Sequence, residues 1–221
     1  MYITPAILPH SFEELTEKLS RIESLAPLVQ IDLCDGVFGL EKTWLPEGGE
    51  ALSSLQEYEF DLMVNQYSTY VEKCIALGAK KIVLHVDHMT DDELREVVTM
   101  LKENNVTTGI SVSNDVSIET HVHALRLAKE IDYKTYAQVM GISRIGEQGQ
   151  EFDESVPSRI VSLKQQVGDV DVQVDGAMNP TNGPKVIQAG ATRLVVGSYM
   201  FKQGEPASAY EEMTNLPSVC E

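Results

Sequence analysis

Two aspartates stand where short apolar runs give way to glycine-containing turns. Asp32 lies in the run QIDLCDG, and Asp175 lies in the run VQVDGA. Because side chains alternate along a strand, Asp32 shares one face of its run with Gln30 and Cys34. A buried carboxylate is costly unless it is paired, hydrogen-bonded or bound to a cation. We therefore take Asp32 and Asp175 as candidates for acid/base chemistry or for metal binding.

Structural roles are the alternative interpretation for some of these polar residues. Asp35 precedes a glycine and is typical of a turn, so we expect it to cap the loop; Asp32 could do the same. His85 lies inside an apolar run, where it is either a hydrogen-bonded histidine near the strand end or a ligand or proton carrier. The remaining histidines are expected in loops or on a polar helix face, without a role: His10, His88, His121 and His123.

Glycines follow both of the last two apolar runs. Gly176 and Ala177 come after Asp175, and Gly197 and Ser198 come after Val196. A glycine lets backbone N–H groups approach an anion closely, and the N-terminus of a following helix adds a favourable dipole. Turn chemistry alone would explain either pair, but both pairs together favour a phosphate site.

The elements that position these residues alternate regularly. Stretches with apolar residues at helical spacing, such as Phe12–Glu23 and Asp92–Glu103, separate β-branched runs. Ser11 and Thr90 have the spacing of helix N-caps, and Gly78 and Gly190 stand where helices should end. The eight runs are Ile3–Leu8, Leu28–Leu33, Phe60–Val64, Lys81–Val86, Thr107–Val112, Tyr136–Ile142, Asp171–Val174 and Arg193–Val196.

About eight βα units predict an α/β fold, a single (β/α)8 TIM barrel, over one domain of residues 1–221. A doubly wound open sheet is the alternative. The turn after the first run reads Pro9-His10-Ser11, without the Gly-x-Gly-x-x-Gly of a dinucleotide fold, which favours the barrel. In a barrel, chemistry takes place at the C-terminal ends of the strands, where Asp32 and Asp175 are placed.

The composition excludes several partners. With 34 acidic and 17 basic residues the formal charge is −17, which argues against binding to nucleic acid or to an anionic membrane. The sequence shows no signal peptide and no apolar run long enough to span a bilayer. Three scattered cysteines fit a reducing compartment, so we expect a cytoplasmic location.

Nearly the whole chain resembles the ribulose-phosphate 3-epimerase family, a family of ribulose-phosphate-binding barrels. The residues that carry this resemblance occur in the family's order along the sequence. They are Pro5–Leu8, Asp32–Gly36, Asp61–Val64, His85, Met140, Gly149–Phe152, Val174–Ala177 and Gly197–Ser198.

The resemblance implies an isomerase of pentose phosphate metabolism that moves the proton on C3 of a pentulose 5-phosphate. Two aspartates act on opposite faces of the sugar, and Asp32 and Asp175 hold the matching positions. The family holds a divalent metal with these two aspartates and two histidines. The resemblance also implies a small phosphorylated sugar as partner, a homo-oligomer, and no organic cofactor.

The histidine positions of the family's metal site carry Gln30 and Asp61 in this chain. A site of Gln30, Asp32, Asp61 and Asp175 would consist of oxygen ligands only, which favours Mg²⁺ or Mn²⁺ over Zn²⁺. Without a cation, three close carboxylates would repel one another and at least one would keep its proton. Either outcome is compatible with the sequence.

Other family positions also differ. The phosphate loop corresponds to Ser143–Gln150, which is longer here and offers Gly146 and Arg144; Arg144 either pairs with phosphate or is a solvated loop cation. Met63 and Met140 match the family's methionines at the rim of the site, although methionine is also common core filler. Ala177 replaces a family glycine.

Three hypotheses follow for the function. The first is catalysis of the epimerase type, and the second is other chemistry on a phosphosugar. Related decarboxylases are disfavoured because their Asp-x-Lys-x-x-Asp motif is absent: the run after Asp32 contains no lysine. The third is a barrel that binds a sugar phosphate without turnover, since one fold hosts many functions.

Overall fold

A computed structural model describes residues 1–38, 41–143, 145, 149–202 and 204–217. Arg144 and Gly146, both predicted to contact phosphate, lie outside the described residues. The eight strands form a closed parallel barrel in the order β1 to β8, with β1 paired to β8. The strands are β1 (Tyr2–Ile7), β2 (Leu28–Cys34), β3 (Glu57–Met63), β4 (Ala79–His85), β5 (Thr107–Ser111), β6 (Tyr136–Met140), β7 (Val172–Asp175) and β8 (Arg193–Val196).

Helices surround the barrel and bury one apolar face each against it. In α1, for example, Leu15, Leu19 and Ile22 are buried. The helices are α1 (Phe12–Ile22), α2 (Tyr67–Ala76), α3 (Asp91–Glu103), α4 (Ile118–Ile131), α5 (Val156–Val167), α6 (Gly183–Gln188), α7 (Ser198–Lys202) and α8 (Pro206–Thr214). The prediction of a (β/α)8 TIM barrel is therefore confirmed, with two helices rather than one after β8.

The predicted helix signals have the expected geometry. The Ser11 hydroxyl accepts from the Glu14 N–H, and Thr90 forms a full capping box with Glu93. Gly78 and Gly190 have φ values of 87° and 107°, which end α2 and α6 before the next strand.

Two expectations need correction. No helix occurs between β2 and β3 within the described residues 35–38 and 41–56, so the second βα unit lacks its helix there. His121 is not on a polar helix face: it is fully buried on α4, with its Nε2 2.9 Å from the Ile110 carbonyl oxygen. Burial lowers the pKa of His121 to about 4.

The main hydrophobic core lies between the barrel and its helices, and the barrel interior is largely polar. Along β2, Ile31 and Leu33 join the main core, whereas Gln30 and Asp32 point inward and are buried. This alternation brings polar side chains of different strands together in layers. None of the helices in the described part of the chain has the length and apolar character of a membrane span.

Candidate active site

Three aspartates meet at the C-terminal end of the barrel. Strand register places Asp32 of β2 beside Asp61 of β3, and β7 brings Asp175 from the other side. One carboxylate oxygen of each lies within 4.8 Å of the others. Asp32 and Asp61 are buried, and Asp175 is partly exposed. The two predicted acid/base residues therefore lie in one cluster, together with Asp61.

Gln30 bridges the two candidate acid/base residues. Its amide nitrogen donates to Asp32 Oδ1 at 2.8 Å and to Asp175 Oδ2 at 2.7 Å. In this orientation Gln30 offers the aspartates a donor and not a metal ligand. To coordinate a cation, the amide would have to turn and present Oε1 to the cluster.

Asp61 has two partners of its own. His85 Nε2 lies 2.8 Å from Asp61 Oδ1, and Gln138 Nε2 donates to Asp61 Oδ2 at 2.8 Å. Burial disfavours a charged imidazole, but the Asp61 carboxylate outweighs it and raises the pKa of His85. Of the two interpretations considered for His85, a hydrogen-bonded histidine at the barrel mouth matches this geometry.

The environment of Asp32 and Asp175 favours the neutral forms of these two carboxyl groups. Burial, followed by the charges of Asp175 and Asp61, raises the pKa of Asp32 well above its usual value. Burial and then the Asp61 charge raise the pKa of Asp175 to about 7, although the Gln30 amide opposes this rise. The Asp175 carboxyl therefore gains and loses its proton near neutral pH, and the environment of Asp32 also favours its protonated form.

One pocket contains most of the predicted site residues. Asp32 and Asp175 line it together with the glycine turns after β7 and β8. Met63 and Met140 also line it, and both belong to a buried apolar cluster that includes Cys34. The predicted residues lining this pocket are Asp32, Met63, Met140, Asp175, Gly176, Ala177, Gly197 and Ser198.

The turn after β7 has a restrained backbone. Gly176 and Ala177 have φ values of 104° and 56°, so Ala177 adopts a left-handed conformation that costs a residue with a side chain some free energy. A Cβ atom at Gly141, just after β6, would lie 2.0 Å from the Gly176 carbonyl oxygen. The ends of β6 and β7 therefore approach each other too closely for any side chain at Gly141.

Asp35 lies outside the cluster and has the loop role expected of it. One carboxylate oxygen accepts from the backbone N–H groups of Val37 and Phe38, and the other accepts from the N–H of Asn65. Partial burial opposes ionisation, but these bonds prevail and lower the pKa of Asp35.

The sequence did not point to a second polar layer two residues below the aspartates on their strands. Glu59, Gln138 and Gln173 are fully buried there, and Arg193 is nearly so. Register aligns Gln30 with Glu59 and Gln138 with Gln173. The signal was available, because Glu59, Gln138 and Gln173 each precede a predicted site residue by two positions.

The donor set of the cluster fits a hard divalent cation. Three carboxylates with oxygens this close are a typical site for Mg²⁺ or Mn²⁺, and Asp32, Asp61 and Asp175 are the residues that could hold one. The amides of Gln30 and Gln138 already donate to these carboxylates, so a cation has to compete with them.

Comparison with known proteins supports the family suggested by the sequence. Residues 2–201 match the model of the ribulose-phosphate 3 epimerase family. A ribulose-phosphate 3-epimerase of Synechocystis is 27% identical over 96% of this chain and 93% of its own length. One from Bacillus subtilis is 26% identical over 96% and 97%, respectively.

A solved structure supports the fold. The 3-hexulose-6-phosphate synthase of Salmonella typhimurium superposes with a TM-score of 0.70, over 98% of both chains, at 10% identity. The family model, the two relatives and the closed barrel with its aspartate pair all agree. This chain belongs to the ribulose-phosphate 3-epimerase family.

Proposed function

We propose that this protein is an epimerase that moves the proton on C3 of a pentulose 5-phosphate, with Asp32 and Asp175 as its acid/base pair. The observation that carries the proposal is that both carboxyl groups line one pocket and share a single amide donor, Gln30. Membership of the family supports the substrate class.

Epimerisation requires two proton-transfer groups. The proton leaves one face of the carbon and another proton arrives on the opposite face, since a single base would restore the original configuration. One group must be ionised while the other carries a proton. Asp175, with its pKa of about 7, is suited to accept the C3 proton, and Asp32, whose raised pKa favours the protonated form, is suited to donate one. The reverse reaction exchanges these roles.

The developing oxyanion needs stabilisation by positive charge or by hydrogen-bond donors. Asp32, Asp61 and Asp175 would hold the divalent cation, and we propose Mg²⁺ or Mn²⁺ rather than Zn²⁺ because all three ligands are carboxylates. Such an ion supplies Lewis-acid stabilisation of the oxyanion when it is bound. Gln30 keeps its position between Asp32 and Asp175 as a donor to both.

The phosphate end of the substrate is assigned to the turns after β7 and β8. Gly176, Ala177, Gly197 and Ser198 line the pocket beside the aspartates. In barrels of this kind, phosphate commonly binds to the loops after the last two strands. For a protein with a net charge of −17, local backbone donors are the means to hold an anionic substrate. Met63 and Met140 are assigned to the apolar side of the sugar.

Exchange of the C3 proton with solvent tests this proposal. Protein incubated with ribulose 5-phosphate in D₂O, with Mn²⁺ or with EDTA, should incorporate deuterium at C3, as followed by ¹H NMR. Asp32→Asn should reduce formation of the C3 epimer, xylulose 5-phosphate, by at least about 10³-fold, because inversion at C3 needs both transfer groups; Asp175 alone still allows exchange of the C3 proton without inversion. Asp35→Asn, which changes a carboxylate outside the cluster, is the matched control.

The same experiment separates catalysis from binding. Protein that binds the sugar phosphate in calorimetry but incorporates no deuterium under either condition would be a binding protein, and the catalytic proposal would be rejected.

A further inference from the structure

The polar layer beneath the aspartates is built around one buried carboxylate, Glu59. Its Oε2 accepts from Tyr136 Oη at 2.6 Å and from an Arg193 guanidinium nitrogen at 3.0 Å, while Oε1 accepts from Gln173 Nε2 at 2.6 Å. The Arg193 guanidinium can only donate, so it holds the Glu59 carboxyl group as an acceptor. The atom of Gln173 that faces Glu59 therefore has to be the amide nitrogen.

The orientation of the Gln173 amide determines the orientation of two further side-chain amides. The same nitrogen lies 3.0 Å from Gln30 Oε1 and 2.6 Å from Gln138 Oε1. An amide nitrogen donates and does not accept, so each neighbour faces it with oxygen, and its two protons are shared among three acceptors. Gln30 and Gln138 then present their NH₂ groups upward, Gln30 to Asp32 and Asp175, and Gln138 to Asp61.

We infer that Glu59, acting through Gln173, is a positioning residue that makes Gln30 and Gln138 donate to the aspartate cluster. Each carboxylate of the cluster thereby receives a hydrogen bond from a side chain whose direction is set below it. The same orientation opposes a cation, because it directs amide protons rather than amide oxygens at the carboxylates. The role for catalysis rests on the proposed function, whereas the effect on cation binding does not.

Glu59→Gln tests the direction of this chain of amides. Arg193 only donates, so the single oxygen of the new side chain stays with Arg193 and its NH₂ group turns to Gln173. Gln173 then has to present oxygen, and both Gln30 and Gln138 turn their oxygens toward the aspartates. The variant would create the site with amide oxygen ligands that wild type lacks.

The sign of the change in Mn²⁺ affinity distinguishes this inference from simple electrostatics. Glu59→Gln removes one buried negative charge, so charge alone predicts weaker Mn²⁺ binding. Reversal of the amides predicts at least about tenfold tighter binding, because opposing donors become ligands. Calorimetric or EPR titration of the purified protein with MnCl₂ measures this without any turnover. Unchanged or weaker binding by the folded variant would overturn the inference.

Two more variants complete the design. Tyr136→Phe removes a donor to Glu59 but leaves the orientation of Gln173 intact, so its Mn²⁺ affinity should stay within about twofold of wild type. Gln173→Met changes no charge, has a similar volume and frees both amides to turn. It should bind Mn²⁺ several-fold more tightly than wild type. This variant tests the inference even if Glu59→Gln does not fold. An Mn²⁺ affinity of Gln173→Met equal to that of wild type would also refute the inference.

Turnover gives a second readout. In EDTA, Glu59→Gln and Gln173→Met should lower kcat for C3 exchange by about tenfold or more, with KM within about twofold, because the phosphate turns are untouched. Absence of exchange in the wild-type protein would reject the proposed function, whereas the Mn²⁺ titrations would still decide the orientation of the amides.

Discussion

Replacing Asp175 with asparagine should stabilise the protein at pH 8 while it abolishes epimerisation. Folded Asp175 keeps its proton up to about pH 7, whereas in the unfolded chain the same carboxyl releases it near its usual pKa of 3.8. Between these pH values the folded state holds more protons, so the free energy of unfolding falls as the pH rises. Above about pH 7 the free energy of unfolding has fallen by the full amount that this carboxyl group can cause.

The magnitude of this fall follows from the difference of about three units between the folded and unfolded pKa values of Asp175. At about 1.4 kcal/mol per unit, the penalty reaches roughly 4 kcal/mol at pH 8. Part of Asp175 faces the pocket, where solvent screening reduces this to about 2 kcal/mol. Asparagine cannot ionise, and its amide oxygen can still accept from Gln30 Nε2. The variant should therefore gain about 2 kcal/mol, or roughly 4–8 °C in Tm, at pH 8.

Urea unfolding at pH 4.5 and pH 8, in buffer with EDTA, measures the effect. The advantage of Asp175→Asn should be small at pH 4.5 and develop fully by pH 8. Asp35→Asn is the control, and its effect on the free energy of unfolding should have the opposite sign. Because the pKa of Asp35 is lowered, this variant should be less stable than wild type by an amount that stays constant from pH 4.5 to pH 8. A pH-independent difference for Asp175→Asn would refute the reasoning.

Two further predictions concern the cation and the phosphate. Asp61→Asn should weaken Mn²⁺ binding by more than about tenfold in calorimetry, because it removes one of three carboxylates. Asp92→Asn, on the surface of α3, removes the same charge and should leave the Mn²⁺ affinity unchanged. Equal Mn²⁺ affinities of the two variants would exclude the cluster as the metal site. Ser198→Asp should raise KM for a pentulose 5-phosphate at least about tenfold, because its charge repels the phosphate, whereas Ser198→Ala should raise KM by far less. Equal KM values for these two variants in steady-state assays would place the phosphate elsewhere.

Local patterns predicted most of the barrel. Alternation correctly placed Asp32 on the inner face of β2, and the capping residues Ser11 and Thr90 begin α1 and α3 as expected. These features depend on interactions within a few residues of one another, so one segment suffices to recognise them. The lack of a helix in the described residues between β2 and β3 and the burial of His121 depend on how segments pack, which no local pattern reports.

The residues of the candidate site were only partly predictable from such local patterns. Asp32 and Asp175 were found because each lies near the end of an apolar run that leads into a glycine turn, whereas Asp61 was found only through the resemblance to the family, which also assigned the aspartates their chemistry. The layer of Glu59, Gln138 and Gln173 was missed, since a polar residue alternating with apolar ones reads equally well as the solvated face of a strand. Its hydrogen bonds join residues 35 to 143 positions apart, and only closure of the barrel brings them together.

The close approach of β6 and β7 limits how the specificity of this enzyme scaffold can be altered. The Gly176 carbonyl oxygen lies 2.0 Å from where a Cβ on Gly141 would stand, and the Gly141 N–H donates to the Asp175 carbonyl oxygen at 2.6 Å, so no side chain fits at Gly141 without displacing the strand end that carries Asp175. Mutational libraries aimed at bulkier sugars would do better at other residues that line the pocket, such as Ala6, Leu8 and Met63. Substrate range can thus be expected to change through these positions rather than through Gly141.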